Sequence, residues 1–364
     1  MKIPRMMVSA KIVVFILILS AFPGWSQEKV KFPVGASSKT LGYGPLWVAW
    51  KQGFFDQQGL DAQVILLRGT PPTVQALVAG SVYVGGATPD AVMEVTERGL
   101  DLVMVVGVIN GLSHAIMGGK NYQRYEDLRG ATIGGQSLTS GITFPLRQVL
   151  KSKGLEYPRD YKLVNVGGTA DLFAALSSGQ IAAAPLAIPL SFAAEEAGFN
   201  VIGWYRDVLP NYQLTALTVK RSWAEANRPL LIRFVKGMVL AMRWVYENKE
   251  PAIDFLAKEM KLKPAHARKG WEYYTANRIW YPDADINSEG VNTLVRIYSE
   301  QGQFKGTPPS PAKYIDQTPY LKIKEHPGYH MLIIASVLLG ILDELSKCYL
   351  GLHFRLPAAA EMLS

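Results

Sequence analysis

Short apolar runs alternate with segments of helical period through the first two thirds of the chain. The runs KVKFPVGA (29–36), AQVILL (62–67), SVYVGG (81–86) and DLVMVVGV (101–108) read as strands. So do ATIGG (131–135), YKLVNV (161–166) and IAAAPL (181–186). Between them, Leu46, Ala49 and Trp50 share one helical face behind Pro45. Leu146, Val149 and Leu150 share another, with Gly154 as its C-cap. Pro145 has to lie in a first turn, which makes Thr143 a candidate N-cap. Strands alternating with helices predict a parallel sheet covered on both faces, and so an α/β fold.

The pattern then changes. QLTALTV (213–219) reads as one more strand, and helices follow over 222–248 (broken near Pro229), 251–260, 264–277 and 288–301. Leu231, Phe234, Val235, Met238, Met242 and Val245 form an apolar stripe that needs a surface to cover it. A return of these helices onto the first half of the chain is the economical solution.

One unit is written twice. At an offset of 99, Gly69 and Thr70 match Gly168 and Thr169, and Ala76, Leu77 and Gly80 match Ala175, Leu176 and Gly179. Each copy follows a helix ending in Gly-Leu, at Gly59-Leu60 and Gly154-Leu155. Each such helix follows a strand and a small polar loop, GASSKTLGYG (35–44) or GGQSLTSG (134–141).

The two ends stand apart. Residues 1–26 carry Lys2, Arg5 and Lys11, then an apolar stretch from Ile12 to Phe22 broken by Pro23-Gly24. They read as a secretory signal cleaved after Ser26, which places the protein in the periplasm. At the other end, MLIIASVLLGIL (331–342) is too short for an ordinary membrane span. Residues 325–364 are therefore taken as an atypical apolar tail. The preceding Pro-rich stretch, 307–319, reads as a domain finishing.

Composition narrows the function more than the fold. The 364 residues are 49% hydrophobic, too apolar for a disordered chain. The single Cys, Cys348, excludes a disulfide framework or a multi-cysteine metal site. Loss of Lys2, Arg5 and Lys11 lowers the formal charge from +8 to +5. The remaining excess is spread out, without the basic stripe that nucleic-acid binding needs.

In open α/β sheets, ligands sit beyond the carboxyl ends of the strands. Those loops supply the candidate contacts: Ser37, Ser38 and Tyr43; Gly69 and Thr70; Thr88; Asn110; Gln136, Ser137, Thr139, Ser140 and Gly141; Gly168 and Thr169; and Ala187. Backbone N–H groups at helix starts suit an anion. Gly-Thr before a helix is also a common cap, and the duplication is what raises the ligand reading of Thr70 and Thr169. Trp47 is expected in a helix core, and Asp90 and Asp171 are expected as capping carboxylates. Arg147 could reach an anion or make a salt bridge. His114 is expected as a satisfied structural histidine. No HExxH, GxSxG, P-loop or GxGxxG occurs, so no catalytic residue, metal or cofactor is expected.

The run SSKTLGYGPLWVAWKQGFFDQQGLDAQVILLRGTPPTVQALVAG (37–80) is followed by DLRGATIGGQSLTSGITFPLRQVLKSKGL (127–155) and GGTADLFAALSSGQIAAAPLAIP (167–189). Together they resemble the nitrate/sulfonate/taurine-type substrate-binding proteins of ABC importers, a group that includes thiamine-precursor binders. The resemblance spans about residues 29–323. It implies a type II periplasmic binding protein fold: two doubly wound lobes, a hinge and an interlobe cleft. Crossing strands would lie near 113–118 and 213–219. Lobe 1 would be 28–117 plus 219–323, and lobe 2 would be 118–218. The family's ligand loops would fall on Ser37, Tyr43, Thr70, Thr88, Gln136, Thr139, Ser140 and Thr169. Residues 325–364 lie outside the pattern.

The resemblance implies a monomer that captures a small anionic or aromatic solute (sulfonate, nitrate, carboxylate or pyrimidine) and passes it to an ABC permease with its ATPase. A pyrimidine-synthase-like enzyme on the same fold would need histidines and metal-binding cysteines that the body of the chain lacks. A sensory module presenting its ligand to a membrane receptor is the third reading.

Overall fold

The computed structural model describes residues 28–325 apart from 137, 139, 140 and 305. The expected signal (1–26), Ser137, Thr139 and Ser140, and the apolar tail with Cys348 lie outside the described residues. Among the described residues, no helix is long and apolar enough to cross a membrane.

Two five-stranded sheets form the frame. The first contains β1 (Val30–Ala36), β2 (Leu60–Leu66), β3 (Val84–Ala87), β4 (Leu102–Ile109) and β10 (Thr215–Lys220), in the order β2-β1-β3-β10-β4. The second contains β5 (His114–Gly118), β6 (Thr132–Gly135), β7 (Lys162–Asn165), β8 (Ala183–Ala187) and β9 (Asn200–Trp204), in the order β7-β6-β8-β5-β9. The two orders are the same pattern, as the internal repeat requires. β3 and β8 stand in equivalent places, each after its Gly-Thr helix.

The expected purely parallel sheet needs a correction. In each sheet the fourth strand runs antiparallel to both neighbours: β10 between β3 and β4, and β5 between β8 and β9. These are the two strands the chain enters on crossing from one sheet to the other. β9, half-buried over NVIGW, is an additional strand without a clear alternating pattern.

The helices sit where the periodicity puts them. In chain order they are α1 (Gly44–Lys51), α2 (Thr70–Ala79), α3 (Pro89–Glu97), α4 (Thr143–Ser152), α5 (Thr169–Ser177) and α6 (Leu190–Glu196). Then come α7 (Arg221–Ala226), α8 (Arg228–Glu247), α9 (Lys249–Met260), α10 (Pro264–Ala276), α11 (Ser288–Glu300) and α12 (Thr318–Glu325). The break near Pro229 separates α7 from α8, with Pro229 tolerated in the first turn of the second helix. Thr143 is the first residue of α4 and not its cap: Ile142 holds the cap position, and Thr143 is buried, its hydroxyl without a partner among the described residues. Lys153 ends that helix, and Gly154 follows it with φ +75°.

The apolar stripe of α8 closes the core of the first sheet. Phe234 stacks on Phe32 of β1 at 5.0 Å and on Phe55 at 4.9 Å, all three rings being buried. α12 lies against α8 as well. The Pro-rich stretch is no loose end: the Met104 amide donates to the Tyr314 carbonyl, and the Asp316 amide donates to the Met104 carbonyl. This extends the first sheet beyond β4 by an isolated bridge at Ile315.

Two segments connect the sheets, 110–113 and 205–214. Between them lies a set of buried amide side chains. Gln213 Nε2 donates to the Ile109 and Thr215 carbonyls at 3.1 and 2.8 Å, and its Oε1 accepts from the Asn287 amide at 2.8 Å. Asn287 Nδ2 donates to the Asn110 carbonyl at 3.1 Å, and Asn110 Nδ2 donates to the Asp285 carbonyl at 2.9 Å. Both crossings are thus tied to one loop that precedes α11.

Candidate functional site

A cleft between the two sheets gathers most of the predicted loop residues. From the first sheet's side it is lined by Ser37, Ser38, Thr40, Tyr43, Gly69, Thr70 and Thr88. From the second come Gln136, Gly141, Ile142, Thr169 and Ala187. Ile109, His114, Leu214, Thr215 and Tyr274 complete it. It encloses about 510 Å³, including solvent at its mouth.

The topology explains the convergence. β1, β3, β6 and β8 end at this cleft, and the helices that follow β1, β2, β3, β6 and β7 begin there. Tyr43, Gly69, Thr88, Ile142 and Gly168 are the N-cap residues of α1, α2, α3, α4 and α5. None of the five makes a side-chain cap hydrogen bond. Each helix start carries roughly half a unit of positive charge and unpaired N–H groups. Gly69 takes φ +132°, where a side chain is disfavoured, and its amide donates to the Ser37 carbonyl at 2.7 Å. That bond pins the start of α2 beside the loop after β1.

Hydroxyls and phenols supply the remaining polarity. Ser37 Oγ and the Tyr43 hydroxyl share a short hydrogen bond. Gln136 Nε2 donates to Thr169 Oγ1 at 3.2 Å. Burial pushes the Tyr43 phenol up to about 12, and the Tyr274 phenol likewise to about 12. Both therefore remain protonated donors at any physiological pH. Ser113 and Tyr274 pair through their hydroxyls at 2.7 Å. Among the described residues, no Lys or Arg lines the cleft.

Four candidates do not join this set. Ser137, Thr139 and Ser140 lie outside the described residues. Asn110 is displaced: it is buried in the amide set at the crossing and does not line the cleft. Arg147 lies over the Tyr157 ring at 5.3 Å and faces a separate groove with Glu94, Glu97, Arg98 and Tyr298. Asp171 caps its own helix by accepting from the Gly168 amide at 2.8 Å, as expected. Trp47 is buried, also as expected.

Asp90 does something else. It is 1% exposed, and its carboxylate accepts from the Gly141 amide at 3.1 Å, across the gap between the two sheets' flanks. Burial pushes this carboxyl up to about 6, against the opposing pull of hydrogen bonds from Thr88 and Gly141. Beside it, Phe144 meets Tyr298 at 5.4 Å. On the far side, His266 Nε2 lies 2.9 Å from Glu196, and Arg206 bonds the Tyr273 hydroxyl.

His114 is not the satisfied structural histidine that the sequence predicts. It lines the cleft, and its buried Nδ1 has no partner among the described residues. Its place at the first residue of the crossing strand was the signal that could have found it. Thr215 and Leu214 occupy the matching place at the second crossing and were missed for the same reason.

Two lobes, each built on a 2-1-3-n-4 sheet, with a cleft at their strand ends, make up the type II periplasmic binding protein fold. Solved structures with this fold include the alkanesulfonate-binding protein SsuA from Xanthomonas axonopodis pv. citri bound to MOPS. It is 18% identical, with 79% of this chain and 99% of that one aligned at a TM-score of 0.64. The periplasmic nitrate-binding protein NrtA from Synechocystis PCC 6803 is 15% identical, over 81% of this chain and 88% of that one, at a TM-score of 0.68. Residues 27–258 match the NMT1-like family, and the chain belongs to that family. Among sequence relatives, a Bacillus subtilis protein named as a binding protein, YtlA, is 21% identical over 79% of this chain and 89% of its own length. The formylaminopyrimidine-binding protein of Halalkalibacterium halodurans is 22% identical over 58% of this chain and 64% of its own length. These four relatives and neighbours are all named as binding proteins.

Proposed function

We propose that the protein is an extracytoplasmic solute-binding protein that captures a small oxyanion, a sulfonate, nitrate or carboxylate, and delivers it to an ABC permease with its ATPase. The observation that carries this is the convergence of five helix N-termini on one hydroxyl-lined cleft. An anion there meets partial positive charge and N–H donors from both lobes, with no cationic side chain needed. Ser37, Ser38, Tyr43, Gly69, Thr70, Thr88, Gln136, Gly141, Thr169 and Ala187 are the residues assigned to solute contact. Lobe 1 is taken as 28–109 plus 215–323 and lobe 2 as 114–204, shifted from the expected bounds at 117/118 and 218/219 because β5 pairs in the second sheet and β10 in the first, with closure about the two crossings. Residues 1–26 are read as the secretory leader that this role calls for.

The names of the sulfonate-, nitrate- and formylaminopyrimidine-binding relatives keep both anions and pyrimidines in the trial.

Thermal denaturation of the protein with methanesulfonate, taurine, nitrate, acetate and aminopyrimidines tests the assignment. A ligand present at 100 times its Kd stabilises the folded state by about 2.7 kcal/mol, which raises Tm by several degrees. A shift with one or more of the anions is expected. A shift with the pyrimidines alone would reverse the choice of solute, and no shift with any of them would remove the binding role.

A further inference from the structure

His114 is the cleft residue whose chemistry the reading above leaves unused. It opens β5 and pairs in register with Ala187 of β8, so both face the same opening. The ring lies nearly parallel to Tyr205, with centroids 5.6 Å apart, and only 5% of the residue is exposed. Its neighbours have their own bonds. The Tyr205 hydroxyl donates to the Ile142 carbonyl at 3.0 Å, and Ser113 is paired with Tyr274. The buried Nδ1 of His114 is left without a partner among the described residues.

Buried polar atoms are almost always hydrogen-bonded, and an exception calls for a reason. A binding wall is one such reason, because the missing partner then arrives with the ligand. Burial depresses the imidazole to about 4, so at physiological pH the ring is neutral, with one N–H and one lone pair. Among the described residues, Lys and Arg are absent from the lining. The imidazole N–H is therefore an uncommitted side-chain nitrogen donor in a cleft already disposed to hold an anion.

We propose that His114 is a specificity-determining residue that donates a ring N–H to the bound oxyanion. This rests on the oxyanion reading of the cleft. The ring is held by Tyr205 stacking and by strand pairing, so the donor is oriented before the solute enters, and little side-chain freedom is lost on binding.

The test uses the whole chain with methanesulfonate, nitrate and acetate as probes. Two variants, H114F and H114Q, are compared with the wild type by calorimetric titration and by melting without ligand. H114F is expected to melt at or above the wild-type temperature, because it replaces an unpaired polar atom with an apolar ring. Its affinity for the best of the three probes should fall roughly tenfold, the worth of about one hydrogen bond. H114Q keeps an N–H donor and should recover part of that loss. In the ¹⁵N-labelled wild type, saturation with the probe should move the His114 ring N–H resonance. A purely structural histidine would give the opposite pattern: lower stability in H114F, unchanged affinity and an unmoved resonance. That result, with a probe still binding, overturns the role of His114 and leaves the oxyanion reading standing. If none of the three probes binds the wild type, the oxyanion reading fails and the proposal falls with it. If H114F does not fold, H114Q and the wild-type resonance decide.

Discussion

Asp90 shows how far a single residue's chemistry departs from its sequence context. A Pro-Asp pair at a helix start reads as a cap, yet the carboxylate is sealed from water and reaches the Gly141 amide from the opposite flank. Its folded pKa of about 6 lies above the ordinary value of 3.8, so the folded state holds the proton more tightly than the unfolded chain does. Stability is therefore lost as pH rises from about 4 through 6, by up to about 3 kcal/mol for this group. Asp90→Asn keeps an oxygen for Gly141 and removes the buried charge. It is expected to raise Tm at pH 7.5 and to flatten the profile between pH 4 and 7, measured by melting across a pH series. A lower Tm at pH 7.5 would mean that the charge contributes more through its bonds than it costs through burial. At this scale, Thr70 and Thr169 were legible because a repeat placed each after a strand and before a helix. Asn110 misled because it too follows a strand, but that strand leads into a crossing and not into a helix. Asp90 was illegible because its partner lies 51 residues away.

Among the elements, α8 is the one whose sequence pattern translated most directly into packing. Its predicted stripe is buried throughout, with Phe234 between Phe32 and Phe55. Gly237 lies mid-helix, where alanine ordinarily gains about 1 kcal/mol. Here a Cβ would stand 2.7 Å from Cδ1 of Phe55 and 3.3 Å from the Phe54 carbonyl oxygen. Phe55 is itself 1% exposed and stacked, so its ring has little room to yield. Gly237→Ala is expected to lose a net 1–2 kcal/mol or so, seen as a lower urea midpoint at constant m. A higher midpoint would show that the ring moves aside freely. The elements that sequence reading missed share a physical cause. β9 is short and half-buried, so no alternation marks it. The reversed direction of β5 and β10 is a property of pairing, which apolar runs do not encode.

The whole molecule is asymmetric in a way the duplicated sequence hides. The second sheet is drawn from one unbroken stretch, 114–204, whereas the first needs β10 inserted between β3 and β4. A fragment spanning 112–212 is therefore expected to melt cooperatively on its own. A fragment spanning 28–112 would leave β3 and β4 with open edges and is expected to lack a cooperative transition. Far-UV circular dichroism on heating separates the two. Cooperative melting of 28–112 alone would show that β10 is dispensable to the first sheet. The two-lobe division was readable because strand, loop and helix recur in the same order twice. The hinge was placed through a family resemblance and not through periodicity. The amide set that ties its strands became visible only in three dimensions, since Asn110, Gln213 and Asn287 are far apart in the chain.

The antiparallel fourth strand also has a consequence in time. A chain emerging from its N-terminus presents β1 to β4 first, but the place between β3 and β4 stays empty until residue 220 is out. By then the second sheet has had all of its strands since residue 204. The lobe that begins first is the one that finishes last. Its edge at Met104 waits longer still, for Tyr314 and Asp316. From residue 109 until residue 220 is out, the unfinished lobe carries an apolar β4 with no strand beside it, which is the interval in which a holding partner would matter most.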